Sequence, residues 1–192
     1  MHTPRKSRDA PKYLTTEEIE RFFAVIKDRR DRALFRVLYH RGLRAHEPGL
    51  LQLSDYRERT GRLLVHRGKG SAGGEFLLAD EENRSLRAWI RERGTAPGPL
   101  FPSRNRRPIS RRRVHYLMAY YCAQACVPAE KAHPHALKHS CGTHLAELGE
   151  DLLVIQDHLG HRNVQNTLIY TQVTNKARDA AAERLKGWGK RS

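Results

Sequence analysis

Apolar side chains recur at helical spacing in the first part of the chain. Thr15 and Glu18 have the spacing of a capping box, which predicts a helix that begins there and extends to about Lys27. A second helix is predicted over residues 31–41, and Gly42 follows at the position of a C-terminal cap. The apolar face of this helix consists of Ala33, Leu34, Val37 and Leu38.

The apolar pattern then changes. After a short helical segment at residues 45–51, the stretches RLLVHR (residues 62–67) and EFLLA (75–79) have the pattern of strands. The glycine-rich turn GKGSAGG lies between them. This part of the sequence therefore predicts a small antiparallel sheet near the N-terminal side of the chain.

Helical spacing resumes at residues 80–93 and dominates the remainder. A loop rich in Pro, Gly and Arg over residues 95–108 precedes Ser110, which is predicted to cap a long helix. The buried stripe of this helix comprises Val114, Leu117, Met118, Tyr121, Cys122 and Ala125. Further helices are predicted over residues 134–149, 151–159, 163–170 and an alanine-rich tail at 174–186. The predicted fold class is mixed α/β and mainly α.

The charge balance of the chain indicates the kind of partner that it binds. The 192 residues include 36 Lys and Arg against 21 Asp and Glu, which gives a formal net charge of +15. Such an excess favours a polyanionic partner, because each neutralised phosphate releases counterions. Nucleic acid is the leading candidate, although a ribosomal or membrane-surface protein can share this balance.

Targeting and disulfide patterns add little. The opening MHTPRKSRDAPK has no apolar stretch behind its basic residues, unlike a signal peptide, and no run approaches the roughly 18 apolar residues of a membrane span. Cys122, Cys126 and Cys141 are a sparse, odd set that argues against a disulfide scaffold. The expected location is the cytoplasm.

Several side chains have the chemistry needed to act on a phosphodiester. They are Arg44, Lys69, His135, Lys138, His161 and Tyr170. A tyrosine can attack a phosphodiester and conserve its energy in a phosphotyrosine bond, which divides one difficult step into two. The free phenol has a pKa of ~10 and needs a nearby base. Without a metal, cationic side chains must neutralise the charge that develops on the phosphorane.

Each of these residues also has a purely structural interpretation. Taken singly, Arg44 fits a surface salt bridge and Lys69 a solvated turn, while the histidines fit helix ends. Tyr170 alone is more typical of a core or interface aromatic. Their joint order and local context favour a site, because independent accidents would have to coincide.

The segments HRGLRAHE, HRGKG, HPHALKHS and LGHRNVQNTLIY, in this order and spacing, resemble the catalytic domain of tyrosine recombinases, the phage-integrase family. The resemblance extends over about residues 13–184. It implies that Arg44 and His161 bind the scissile phosphate and that Tyr170 is the nucleophile. It further implies that Lys69 is the general acid toward the leaving 5′ oxygen and that His135 assists proton transfer.

One position departs from the family pattern. The arginine that ends the family's HxxR box is Lys138 here, which keeps the charge but loses the planar fork that contacts two phosphate oxygens. Lys138 is expected to approach the phosphate, with His139 as an alternative donor. Glu47, which matches the glutamate of the family's GLRxxE pattern, is expected to buttress its turn.

The resemblance implies a reaction and its partners. The expected function is site-specific strand exchange on double-stranded DNA through a 3′-phosphotyrosine, which requires neither ATP, metal nor another cofactor. Four protomers would assemble on two DNA sites, and a monomer in solution is compatible with this scheme. Residues 1–12 are expected to be a basic arm or linker, and residues 13–192 the catalytic domain with its tail helix at 174–186.

The resemblance also indicates what these 192 residues lack. The family's usual N-terminal helical domain, which clamps the far side of the DNA, does not fit into residues 1–12. Some members, such as the fimbrial-switch recombinases, lack that domain, and otherwise the chain is a catalytic-domain fragment. The sequence does not distinguish these two possibilities.

Other functions stay open at this point. A protein of the same fold can bind DNA without cleaving it, and a type IB topoisomerase-like relaxase shares the chemistry without site choice. Cys122, Cys126, His133 and His135 superficially resemble zinc ligands, but both cysteines lie on or beside the buried stripe. The GKGS turn lacks the upstream glycine of a nucleotide-binding loop.

Overall fold

The computed structural model describes residues 12–68 and 73–171, and also residues 182, 183, 185 and 186. Within these ranges the chain is mainly helical and carries one small sheet, as predicted. The helices are α1 (Thr16–Val25), α2 (Arg29–His40), α3 (Asp80–Arg93), α4 (Arg111–Gln124), α5 (Pro134–Glu147), α6 (Leu152–Leu159) and α7 (Leu168–Thr171). The strands are β1 (Tyr56–Arg57), β2 (Arg62–Val65) and β3 (Gly74–Leu77).

Side-chain caps fix the starts of these helices. The capping box of Thr15 and Glu18 opens α1, as predicted from their spacing. Asp28, Ser110 and Asp151 each accept a hydrogen bond from a backbone N–H in the first turn of α2, α4 and α6, respectively. Each cap satisfies an N–H group that has no partner inside its helix.

The sheet is antiparallel, with the strand order β1-β2-β3. Leu63 on β2 pairs with Tyr56 on one side and with Phe76 on the other. The predicted hairpin is confirmed, but β2 ends at Val65, so Arg67 lies beyond the strand. β1 has 2 residues and no alternation of its own, and the sequence therefore did not predict it.

The core lies between α1, α2, α4 and α5. Phe22, Phe35 and Tyr121 make edge-to-face ring contacts at its centre, with centroid distances of 5.2 to 6.4 Å. Full burial of each large apolar side chain contributes about 1.5–3 kcal/mol. This packing fixes α2, which precedes the turn that carries Arg44, and α5, which carries His135, Lys138 and His139.

The C-terminal part differs from its prediction. The helix expected over residues 163–170 is divided into a 3₁₀ turn (Val164–Asn166) and α7, with Thr167 between them. The predicted tail helix at 174–186 lies almost wholly outside the described residues; Leu185 is described and is 72% exposed. In the part of the chain that the structure describes, no helix is long and apolar enough to cross a membrane.

Candidate active site

The turn that follows α2 carries Arg44. Gly42 has a φ of +53°, a left-handed conformation that glycine adopts without strain. The Glu47 carboxylate is fully buried beneath the turn and accepts a hydrogen bond of 2.7 Å from the Arg44 backbone N–H. It accepts a second one of 3.3 Å from Nη1 of Arg44, whose side chain remains 35% exposed. Glu47 thus buttresses the turn and holds the Arg44 guanidinium near the surface.

The segment that follows β2 is attached to the same carboxylate. The Gly68 backbone N–H lies 3.3 Å from Oε1 of Glu47, and Nη1 of the buried Arg67 lies 3.4 Å from Oε2. The Arg67 guanidinium also donates to the carbonyl oxygens of Arg41, Gly42 and His158, at 2.8, 3.1 and 2.7 Å. Lys69 lies outside the described residues, so its role as general acid stays a prediction.

Lys138 lies inside the protein. Its side chain is 1% exposed, and Nζ donates to the carbonyl oxygens of Gly42 at 2.8 Å and Leu159 at 2.6 Å. Burial, reinforced by the charge of Arg67, lowers the pKa of this lysine to about 7. The ammonium would have to leave these carbonyl groups to contact a phosphate, so its predicted role there stays a prediction.

Tyr170 packs against α5. The phenol oxygen lies 3.0 Å from Nδ1 of His139, and the tyrosine side chain is 1% exposed. A Cβ at Gly142 would lie 2.6 Å from two carbon atoms of the Tyr170 ring. Glycine at this position therefore creates the space that the ring occupies.

The His161 ring lies close to the Tyr170 ring. Gly160 ends α6 in the left-handed conformation, with a φ of +64°, which confirms the predicted stop. The His161 ring is nearly parallel to the Tyr170 ring, with an interplanar angle of 12° and a centroid distance of 6.4 Å. Nδ1 of His161 lies 3.0 Å from the Thr167 hydroxyl, a hydrogen bond that orients the imidazole.

His135 lies one helical turn before His139 on α5. It is exposed, and the two imidazole rings meet edge to face with a centroid distance of 4.4 Å. His135 therefore lies next to the residue that contacts the Tyr170 oxygen. The described contacts place it beside that residue rather than on the phenol itself.

Electrostatics set the protonation states of these groups. Burial and then the charges of Lys138 and Arg44 lower the pKa of His161 to about 3. Burial and the neighbouring His135 lower the pKa of His139 to about 4. Burial raises the pKa of the Tyr170 phenol well above its ordinary value. At neutral pH both imidazoles are neutral and the phenol carries its proton, which it can donate to Nδ1 of His139.

Sequence reasoning overlooked two members of this arrangement and underrated a third. Arg67 stood only as the last residue of a predicted strand, and His139 entered only as an alternative phosphate donor. Gly142 left a detectable signal, because glycine inside a helix costs about 1 kcal/mol relative to alanine and implies a close neighbour. No comparable local signal marked Arg67, whose contacts join distant parts of the chain.

This arrangement of Arg44, two histidines and Tyr170 can be compared with known proteins. A sequence profile described as "Phage integrase family" matches residues 12–177. The chain belongs to the phage integrase family. It is 37% identical over 195 aligned positions to the tyrosine recombinase XerA of Thermococcus kodakarensis, covering 97% of this chain and 67% of that protein.

Solved structures of family members have the same fold. A crystal structure of XerA recombinase superimposes with a TM-score of 0.80 at 27% identity, covering 95% of this chain and 66% of that one. The XerH site-specific recombinase bound to its difH substrate, in a pre-cleavage complex, gives a TM-score of 0.75 at 26% identity. That match covers 91% of this chain and 55% of XerH. The chain thus spans between about half and two thirds of the length of these relatives.

Proposed function

We propose that this chain cuts and rejoins DNA strands as a tyrosine-type site-specific recombinase. The observation that carries the proposal is the environment of Tyr170, whose oxygen lies 3.0 Å from His139. The His161 ring lies parallel to the Tyr170 ring, and the charge of Arg44 acts on His161. The proposal is supported by the family's named recombinases and assigns the catalytic domain to residues 13–192.

The proposed reaction conserves the bond energy of the phosphodiester. The Tyr170 oxygen gives its proton to Nδ1 of His139 and attacks the phosphorus, which forms the 3′-phosphotyrosine and breaks the bond to the 5′ oxygen. Lys69 gives its proton to that oxygen, while Arg44 and His161 hold the phosphate. A 5′ hydroxyl from the partner strand then reverses these steps. Because Tyr170 is 1% exposed, its side chain must become accessible to the DNA before it attacks.

DNA is the proposed partner, and the start of α4 offers it a basic surface. Arg111, Arg112 and Arg113 open this helix at exposed positions. The exposed rings of Tyr116 and Tyr120 stack on one another, and the Arg113 guanidinium lies 4.8 Å from the centroid of the Tyr116 ring. Such a surface can bind backbone phosphates through its guanidinium groups, which gives affinity without base readout.

We further propose that several copies assemble on DNA, four of them on two sites. An apolar surface at the α5–α6 turn is formed by Leu148, Leu153 and Val154, which are 80%, 67% and 52% exposed. The proposed occupant is the tail of a neighbouring copy, because the tail residue Leu185 is itself 72% exposed and offers an apolar side chain to such a surface.

Covalent capture tests the chemistry even though the target DNA sequence is not specified. The protein is incubated in EDTA with a pool of nicked duplexes of randomised sequence, and adducts that survive denaturation are separated and sequenced. The wild type should form an adduct, and Tyr170→Phe should form none while it retains DNA binding. An adduct in Tyr170→Phe would refute the assignment of the nucleophile.

A DNA-binding protein without cleavage activity is the second candidate. It is favoured by the burial of Tyr170 and by lysine in place of the second arginine at position 138. The same pool separates the two candidates, because a binding-only protein retains duplexes on a filter but yields no denaturation-resistant adduct.

A further inference from the structure

Two buried cations meet at one backbone carbonyl group in this protein. The oxygen of Gly42 accepts hydrogen bonds from Nζ of Lys138 at 2.8 Å and from Nη1 of Arg67 at 3.1 Å. The Arg67 side chain is 0% exposed and that of Lys138 is 1% exposed. Burial of two like charges side by side is costly unless they satisfy groups that would otherwise lack partners.

These groups are the ends of two helices. Arg67 donates to the carbonyl oxygens of Arg41 and Gly42, which follow α2, and to that of His158 in the last turn of α6. Lys138 joins the same two ends through Gly42 and Leu159. The final carbonyl groups of a helix lack partners inside it and carry partial negative charge, so cations stabilise them.

The two helix ends also touch directly. A Cβ at Gly42 would collide with the side chain of Leu159, so the two turns approach as closely as glycine permits. Each turn carries a proposed phosphate ligand two residues later, Arg44 after Gly42 and His161 after Leu159. The cations therefore lie where they can set the separation of these two ligands.

Among the described contacts, only one carboxylate offsets the positive charge of Arg67 and Lys138. Glu47 is fully buried and lies 3.4 Å from Arg67, and it also holds the Arg44 turn. A second guanidinium at position 138 would bring a larger group to the Gly42 carbonyl oxygen, which Arg67 already contacts. Extra atoms in such a packed interior force neighbouring groups to move.

We propose that Arg67 is a positioning residue that, together with Lys138, fixes the separation of Arg44 and His161, and that its guanidinium fills the space between the two helix ends that an arginine at position 138 would otherwise enter. This inference rests on the proposed function and adds a residue to it. Arg67 does not contact the reacting atoms; it acts through the two turns. Lysine is accommodated at position 138 because arginine stands at position 67.

Substitution at both positions tests whether a guanidinium at position 138 can take the place of the one at position 67. Arg67→Met should slow adduct formation by about 10²-fold, the size of effect expected when reacting groups are misplaced by about 1 Å. Lys138→Arg alone should also slow it, by about tenfold or more, because two guanidinium groups compete for one space. The double variant Arg67→Met with Lys138→Arg should be at least tenfold faster than either single variant.

Adduct rates are measured on duplexes captured with the wild type, and filter binding at low salt should change less than about threefold. Arg62→Met is the matched control, since Arg62 lies on β2 with a side chain 40% exposed, and it should keep the wild-type rate. If the double variant is slowed by the product of the two single effects, an arginine at position 138 cannot take the place of Arg67. Equal rates for Arg67→Met and Arg62→Met would overturn the role of Arg67.

A second measurement uses inorganic sulfate in place of DNA, so that failure of the proposed function is recognised separately. Sulfate should raise the thermal unfolding midpoint of the wild type and of Arg62→Met by binding between Arg44 and His161. Arg67→Met should lose at least half of that rise. If the wild type forms no adduct but this difference holds, the recombinase proposal fails and the positioning role stands. No sulfate effect in the wild type, or an equal effect in Arg67→Met, overturns the positioning role.

Discussion

At the scale of single residues, the neutral histidines around Tyr170 make the protein sensitive to acid. The pKa of His139 is lowered to about 4, chiefly by burial, from an ordinary value near ~6.5. A folded-state pKa below that of the unfolded chain means that the unfolded chain binds more protons between the two values. The stability contributed by neutral His139 is therefore present above pH ~6.5 and is lost as pH falls toward 4.

We expect the free energy of unfolding to fall between pH 7 and pH 5, with up to about 2 kcal/mol of the fall attributable to His139. Urea unfolding at several pH values measures this slope. His139→Asn removes the titrating ring but retains an oxygen near the position of Nδ1, so it should flatten the profile. Tyr170→Phe serves as the control and should keep the wild-type slope, because the imidazole stays buried. An unchanged slope in His139→Asn would contradict this assignment.

Residue roles were predicted from the sequence only where a motif carried them. The expectations that Tyr170 and His161 share one site and that Glu47 buttresses its turn came from the resemblance of their segments to the family's motifs. The contacts of Arg67 could not be predicted, because they depend on turns 25 and 91 positions away along the chain. The interior position of Lys138 could not be predicted either, since helical spacing does not determine which carbonyl groups face a side chain.

At the scale of elements, the sequence predicts where a helix begins and ends better than it predicts whether the helix is continuous. The prediction for α3 matches Asp80–Arg93 at both ends, where acidic residues fill the first turn and Gly94 follows the last. The helix predicted over residues 163–170 is interrupted instead. Thr167 is fully buried and its hydroxyl lies 3.0 Å from Nδ1 of His161, so a tertiary contact accompanies the break.

The contact between α5 and α7 depends on the absence of a side chain at Gly142. Alanine there would bring its Cβ to 2.6 Å from the Tyr170 ring, closer than carbon atoms can approach. We expect Gly142→Ala to displace Tyr170 and to slow adduct formation by about tenfold or more. Overpacking of this kind costs about 1–3 kcal/mol, less the gain in helix propensity of about 1 kcal/mol.

Urea unfolding and covalent capture measure the two effects of Gly142→Ala separately. Gly74→Ala is the control, because a Cβ on that strand residue meets its nearest atom, on Phe76, at an ordinary 3.6 Å. The control should retain the wild-type rate of adduct formation. Wild-type stability and activity in Gly142→Ala would mean that the tyrosine ring does not occupy this space in solution.

At the scale of the whole molecule, the site is assembled from distant segments rather than from one element. The ends of α2 and α6 supply Arg44 and His161, α5 supplies three side chains, and α7 supplies Tyr170. Two of the proposed phosphate ligands thus lie on turns held together by buried cations. Small changes in the packing of α6 against α2 should therefore shift Arg44 and His161, because the interior is close-packed and transmits strain.

The exposed apolar surface at the α5–α6 turn concerns the assembly of several copies, because a neighbouring copy is its proposed partner. Leu153 is 67% exposed on α6, close along the chain to the turn that carries His161. A tail bound there can influence both the assembly and the position of the site. Leu153→Ser should therefore weaken assembly on DNA and lower strand exchange about tenfold or more, with less effect on DNA binding by one copy.

Sedimentation of the protein on captured duplexes measures the assembly, and an exchange assay on the same duplexes measures the activity. Leu77→Ser is the matched control, because Leu77 is 64% exposed on β3, outside the proposed docking surface. Deletion of residues 174–192 should reproduce the Leu153→Ser defect. If surface and tail act on each other, combining the deletion with Leu153→Ser should add little further loss. Full additivity of the two changes would show that the tail binds elsewhere.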